Sequence, residues 1–202
     1  TERGYSWRFA ENQYDYIGNA AGNTTIGSQT AGAVVDLFGW STSSTYYGIN
    51  TSTDNAKYSG DFVDWGGLIG DGSTWRTLSK DEWVYLFNTR TVNGGTGEGK
   101  SYSKNITHGG KMGLVLYPDD YTGSVLSGTV ATLPDGVVFL PAVGSRHGSS
   151  LINAGSYGYY LSSTLYGSTL AYSLLFGGSN VYPSYTNYRY YGQSVRLVTE
   201  SL

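Results

Sequence analysis

The stretch GSYGYYLSSTLYGSTLAYSLLFGGSNVYPSYTNYRYYGQSVRLV, residues 155–198, decides how this chain is read. Tyrosines stand at 157, 159, 160, 166, 172, 182, 185, 188, 190 and 191, half of the 20 in the chain. Between them lie Ser, Gly, Asn and Thr, with almost no charge. Tyrosine has high strand propensity, so the composition fits an antiparallel sheet. It fits a recognition surface equally well. Tyr supplies large, rigid contact area at low entropic cost, and Ser, Gly and Asn supply adaptable hydrogen bonding. Composition alone leaves the two readings open. The end of the stretch, SVRLVTES (194–201), reads as a last strand with Val195, Leu197 and Thr199 on one face.

Upstream, VVFLPAVGSR (137–146) and KMGLVLYPDD (111–120) read as buried strands ended by Pro141 and Pro118. Farther back, WRTLSKDEWVYLFNTR (75–90) carries the clearest local signal in the chain. Ser79 and Glu82 form an S-x-x-E capping box, and Leu78 and Trp83 form the hydrophobic staple beside it. Asp81 and Glu82 complement the positive helix N-terminus, and Arg90 lies near the negative end. Trp83, Leu86 and Phe87 share one apolar face, so this is a structural helix packed on a core. A strand is expected near Trp7–Ala10, and VVDLFGW (34–40) fits a buried strand or a helical turn. Residues 18–32 read as a loop. Residues 41–75 read as long loops pinned by Tyr46, Tyr47, Tyr58, Phe62, Trp65 and Trp75.

With 202 residues the chain fits one large domain or two small ones and can bury a single core; its 30 Gly and 4 Pro fit a loop-rich β-containing fold better than a helical one, and its net charge is −3. It lacks the basic stripe of a nucleic-acid binder. No run of about 18 apolar residues offers a membrane span. With no cysteine there is no disulfide, thiolate nucleophile or zinc-thiolate site. His108 and His147 sit in Gly-rich context without carboxylates at ligand spacing; between a metal or general-base role and a solvated loop position, the second is the better reading. Asp119 and Asp120 are successive and point apart, unlike the facing carboxylates of a glycosidase. GGTGEG (94–99) has no preceding strand and no GK[ST], so it reads as a flexible loop. No G-x-S-x-G elbow or EF-hand loop occurs. The expectation is a chain without catalytic residues, metal or cofactor.

Three segments resemble a known group. WRTLSKDEWVYLF resembles the W-R-L-P-[ST]-x-x-E-W-x-Y-L helix entry of the Fibrobacter-type major paralogous domain proteins. These are relatives of the formylglycine-generating-enzyme branch of the C-type lectin fold. FLPAVGSRHGSS resembles their F-L-P-A-A-G-x-R-x-G segment, and the 155–198 stretch resembles their G-x-Y-W-S-S-T…A-Y-x-L-x-F…R-x-x-G-x-S-V-R-L-V ending. WRFAENQYDYIGN and VDLFGW also fit members of the group. The resemblance implies one α+β, C-type lectin-like domain over 1–202, with small antiparallel sheets, about two helices and long loops. It does not carry over the oxidase activity, which depends on cysteines absent here. The histidine-rich iron motif and the Glu-Pro-Asn and Trp-Asn-Asp calcium motifs are absent as well.

The same ending is similar to the variable proteins of diversity-generating retroelements, in which adenine-directed mutagenesis scatters residues over a C-terminal ligand surface while a framework stays fixed. The resemblance implies a variable region at 145–198. Its framework would be Gly144, Arg146, Ser162, Ser163, Thr164, Ala171, Phe176, Arg189, Gly192 and Ser194 to Val198, with Arg146, Arg189 and Arg196 paired inside the fold. The ligand-binding positions would be Ser149, Leu151, Tyr157, Tyr159, Leu161, Tyr166, Ser168, Leu170, Asn180, Tyr182, Ser184, Tyr185, Asn187, Tyr188 and Tyr191. The implied partner is a protein or glycan on a cell or phage-host surface, met by a cell-surface, lipoprotein-type or phage-borne protein. Nucleic acid and direct membrane insertion are not expected. A fixed surface or pilus-tip assembly domain is the second reading, and a degenerate enzyme of the same fold the third.

Overall fold

A computed structural model describes residues 74–147, 150–189 and 191–199, together with 8–9, 34–35, 40–41, 61–62, 64 and 66. In chain order the elements are β1 (Arg8–Phe9), β2 (Val34–Val35), β3 (Trp40–Ser41), β4 (Asp61–Phe62), β5 (Arg76–Thr77) and α1 (Lys80–Val84). They continue with β6 (Tyr102–His108), β7 (Lys111–Leu116), β8 (Val138–Pro141), β9 (Ser145–His147) and β10 (Ser150–Ile152). The chain closes with β11 (Tyr157–Tyr166), β12 (Leu170–Gly177), β13 (Asn180–Tyr188) and β14 (Leu197–Val198). The class is α+β with mostly small antiparallel sheets. Among the described residues there is one helical segment, where the family resemblance implies about two.

That segment forms where its caps dictate. The Ser79 hydroxyl accepts the Glu82 N–H, and the Glu82 carboxylate accepts the Ser79 N–H at 2.8 Å, closing the capping box. Arg76 grips the same carboxylate with both guanidinium nitrogens, at 2.8 and 2.5 Å. Leu78 and Trp83, the staple pair, are both buried in one cluster. After Val84 the helix widens into a π-turn, Tyr85–Thr89. Arg90 caps that end through its backbone, but its side chain turns elsewhere, donating to the Asp119 carboxylate at 2.9 Å and the Ser101 carbonyl at 3.2 Å. The expectation of an Arg90 side chain serving the helix dipole is corrected: a buried guanidinium needs hydrogen-bond partners, and Asp119 and Ser101 supply them to its two terminal nitrogens.

Two three-stranded antiparallel sheets, β6–β7–β8 and β11–β12–β13, supply the walls. After exposed Lys111 the run MGLVLY is apolar because β7 is covered on both sides there. Leu114 and Leu116 enter the helix-side cluster with Trp83, Phe87, Leu140, Tyr160, Leu174 and Phe176. Val115 and Tyr117 enter a second cluster with Val92 and Ile106, roofed by Tyr121, Leu126, Val130, Leu133 and Val137 from the following loop. Pro141 does end β8 and Pro118 follows β7, as their missing N–H groups require. The terminal strand β14 pairs antiparallel with β5, and the Asp64 carboxylate accepts the Thr77 N–H at 2.7 Å on that same short strand. β1 falls within the expected 7–10 stretch, and Val34–Val35 and Trp40 are strand rather than helix.

Several small expectations change. GGTGEG folds as hydrogen-bonded turns rather than a flexible loop. Asn93 and Gly94, both with positive φ, close a two-residue turn between Val92 and Gly95. His108 and His147 are strand residues, not solvated loop residues. The His108 Nδ1 lies 2.9 Å from the Val130 carbonyl, and His147 stacks on Tyr191 at 3.5 Å between centroids. No helix among the described residues is long and apolar enough to cross a membrane.

Candidate functional site

The tyrosine-rich stretch becomes β11, β12 and β13, and the parity of β12 sorts it. β12 pairs along its length with both neighbours, so directly opposed residues share a face. Leu174 and Phe176 point to the helix-side core, and Tyr160 and Val181 accompany them. Residues 171, 173, 175 and 177 therefore face the other way. Their cross-strand partners form rows on that outward face. Tyr157, Gly177 and Asn180 make one row, Tyr159, Leu175 and Tyr182 the next. Leu161, Ser173 and Tyr185 make a third, and Leu165, Ala171 and Asn187 a fourth.

This surface is aromatic at its flanks and small or buried at its centre. Tyr182 is 49% exposed, Tyr185 40% and Tyr157 37%, whereas Ala171 and Ser173 are fully buried. The Tyr157 ring lies against Gly177, where an added Cβ would stand 2.4 Å from it, so the glycine is what lets the ring lie down. Ring centroids are 6.4 Å apart for Tyr157–Tyr159 and 6.5 Å for Tyr182–Tyr185. The Asn153 amide, on a residue with φ +59, donates to the Tyr159 hydroxyl at 3.1 Å and orients it.

The fifteen predicted ligand positions do not form one surface. Tyr157, Tyr159, Asn180, Tyr182, Tyr185 and Asn187 share the outward face, with exposed Ser184 at the β13 bulge beside them. Tyr166, Leu170 and Tyr188 are paired with one another on the opposite face, past the end of the core. There Tyr166 meets Tyr172 edge-on at 5.2 Å, and the Lys80 ammonium sits 5.4 Å over the Tyr172 ring. Tyr191 stands between His147 and Tyr188, exposed Ser168 lies in the β11–β12 turn, and exposed Leu151 lies opposite Arg146 in the β9–β10 hairpin. Ser149 lies outside the described residues.

Leu161 is the clear error: it is 3% exposed, and its backbone accepts the Trp83 indole N–H and donates to Ser194. Leu165 and Asn153 belong to the outward surface and were missed. Leu165 has the same odd parity as 157 and 159, a signal available in the sequence. Asn153 reaches the face only through its hairpin.

The framework residues behave differently. The Ser163 N–H donates to the Leu78 carbonyl, and the Thr164 hydroxyl accepts the first free N–H of α1, from Lys80. Ser162, Ala171, Phe176 and Arg189 are buried, and the Arg189 guanidinium donates to the Ser168 carbonyl. Ser194 pairs through its backbone with both Tyr159 and Leu161, and Gly192 pairs with Arg146. Gly144 has φ +73, and a Cβ there would sit 2.1 Å from the Ile152 carbonyl, so only glycine fits. Arg146 and Arg196 lie at the surface, so of the three arginines expected inside the fold Arg189 alone is buried.

Among the described residues no three His, Asp or Glu side chains converge as a metal site would require. The strongly shifted groups serve structure. The Arg76 guanidinium holds Glu82 down at about 2, and burial raises the Tyr160 phenol, whose hydroxyl donates to the Pro141 carbonyl at 2.9 Å. Comparison of the chain with known protein families, curated proteins and solved structures yields no match.

Proposed function

We propose that this chain is a non-catalytic binding protein of receptor or adhesin type. It carries a Tyr-, Ser- and Asn-rich surface on a C-type lectin-like scaffold, diversified at 145–198 by a retroelement and displayed on a cell or phage particle. The observation that carries the reading is a division of labour along one sequence. Most residues assigned to the framework are buried or hydrogen-bonded to the helix and its flanking strands, and most interleaved residues are exposed. A surface under diversification needs that separation, because substitutions are tolerated where they touch neither core nor backbone hydrogen bonds. Exposed aromatic clusters also mark interaction sites more often than chance surface does.

The test is sequencing of this locus across a population of its source. The reading predicts substitutions at adenine-containing codons for exposed positions such as Tyr157, Tyr182, Tyr185 and Tyr188, with Gly144, Ser162–Thr164 and Phe176 unchanged. Substitutions spread evenly over 145–198, or none, would overturn diversification and favour a fixed assembly domain.

A further inference from the structure

The tight turn between Val92 and Gly95 brings together the parts of a reaction. Of the chain's 11 asparagines Asn93 alone precedes a glycine. Asn93 and Gly94 are both exposed, and a Cβ placed on Gly94 would meet nothing within 4 Å. Among the described residues neither the Asn93 side-chain amide nor the Gly94 N–H has a hydrogen-bond partner. The turn is closed instead by the paired backbone bonds of Val92 and Gly95, at 2.8 and 3.1 Å. The Lys100 ammonium donates to the Asn93 carbonyl at 3.4 Å, and its stem lies against Gly95. We propose that Asn93–Gly94 is a self-modification site, where the Gly94 backbone nitrogen attacks the Asn93 side-chain amide and converts the asparagine to aspartate and isoaspartate.

Water or hydroxide takes the Gly94 N–H proton as the nitrogen bonds to Asn93 Cγ. The Cγ–Nδ2 bond breaks and ammonia leaves, which closes a cyclic succinimide. A water molecule then opens the ring. Cleavage between Cγ and the Gly94 nitrogen gives aspartate on the ordinary backbone. Cleavage at the backbone carbonyl gives isoaspartate, with the chain running through the side-chain carbon. The sum is one water consumed and one ammonia released, with no oxidant or reductant. Two neighbours favour the step. Glycine leaves the attack path open and lets the backbone swing into the ring-closing geometry. The Lys100 charge on the Asn93 carbonyl stabilises negative charge developing on the Gly94 nitrogen. The other asparagines with positive φ, Asn105 and Asn153, lack this setting. Asn105 precedes buried, β-branched Ile106, and Asn153 precedes Ala154 and donates its amide to the Tyr159 hydroxyl. Either product adds one negative charge to a chain of net charge −3. Only isoaspartate lengthens the backbone, by a carbon that a two-residue turn cannot absorb. Val92 is 1% exposed and packed with Ile106, Val115 and Tyr117, so the isoaspartate form loosens the second cluster.

The experiment holds the full, folded chain at mildly alkaline pH and follows it by peptide mapping with mass spectrometry. The expected result is a gain of about 1 Da at Asn93, in two chromatographic forms, at least about tenfold faster than at Asn105 or Asn153. Equal rates at the three positions, or no gain at Asn93, overturn the site. Urea unfolding then compares the separated isoaspartate form with the Asn93→Asp variant, which carries the new charge on an ordinary backbone. A lower midpoint for the isoaspartate form is expected. Equal midpoints overturn the link from the turn to the Val92 cluster.

Discussion

The two faces of the β11–β12–β13 sheet are made from the same strands and much the same amino acids, yet they do opposite things with tyrosine. On the helix-side face Tyr160 is 4% exposed, its hydroxyl is satisfied by Pro141, and its ring packs at 6.0 Å from Phe176. Tyr117, buried in the second cluster, likewise shares its hydroxyl with Ser103 at 2.8 Å and accepts the Leu126 N–H at 2.7 Å. On the outward face Tyr157, Tyr182 and Tyr185 keep their rings partly in water. A tyrosine inside needs a named partner for its oxygen, because an orphaned buried hydroxyl costs free energy. One outside leaves that oxygen available to a ligand. The residue type is shared, and the environment assigns the role.

The harshest way to break the comparison is to cut the buried side. Trp83→Ala empties the centre of the helix-side cluster and should cost about 3–5 kcal/mol in urea unfolding. Next comes the cap. Ser79→Ala removes one half of the capping box and should cost about 1 kcal/mol by the same measurement.

Its partner gives a pH signature. The Arg76 guanidinium, with help from the Ser79 backbone and hydroxyl, lowers Glu82 from 4.5 to about 2. A depressed carboxylate contributes its full stability above the unfolded value and loses it as pH falls toward the folded one. Unfolding free energy should thus decline between about pH 4.5 and about pH 2, and Glu82→Gln should flatten that limb. An unchanged limb would remove Glu82 as its source. The smallest effect sharpens the comparison from the outward side. Among the described residues the fully buried Ser173 hydroxyl has no hydrogen-bond partner, so Ser173→Ala should be neutral or slightly stabilising.

The helix was legible because its signals are local: cap, staple and apolar stripe all fall within Leu78–Phe87. β7 was legible because a strand covered on both sides is apolar wherever it is covered, here from Met112 to Leu116. The split of the tyrosines was only half legible. Period-two alternation separates Tyr157 and Tyr159 from Tyr160, but two register shifts, between Leu161 and Leu165 and between Tyr182 and Tyr185, interrupt the count. Parity beyond them follows from pairing with β12, which no local pattern reveals. Leu161 shows the same limit. Its odd position suits the outward face, yet long-range contacts bury it and tie its backbone to Trp83 and Ser194. Arg90 found its partners by tertiary contact too, with Asp119 lying 29 positions away.

The central claim, that one face holds the fold together and the other is free to recognise, is tested most directly by urea unfolding of two single variants side by side. Tyr160→Ser should cost about 3–5 kcal/mol, as large-to-small changes in cores do, and Tyr182→Ser should cost less than about 1 kcal/mol. Comparable losses from the two would contradict it, because the outward tyrosines would then belong to the core.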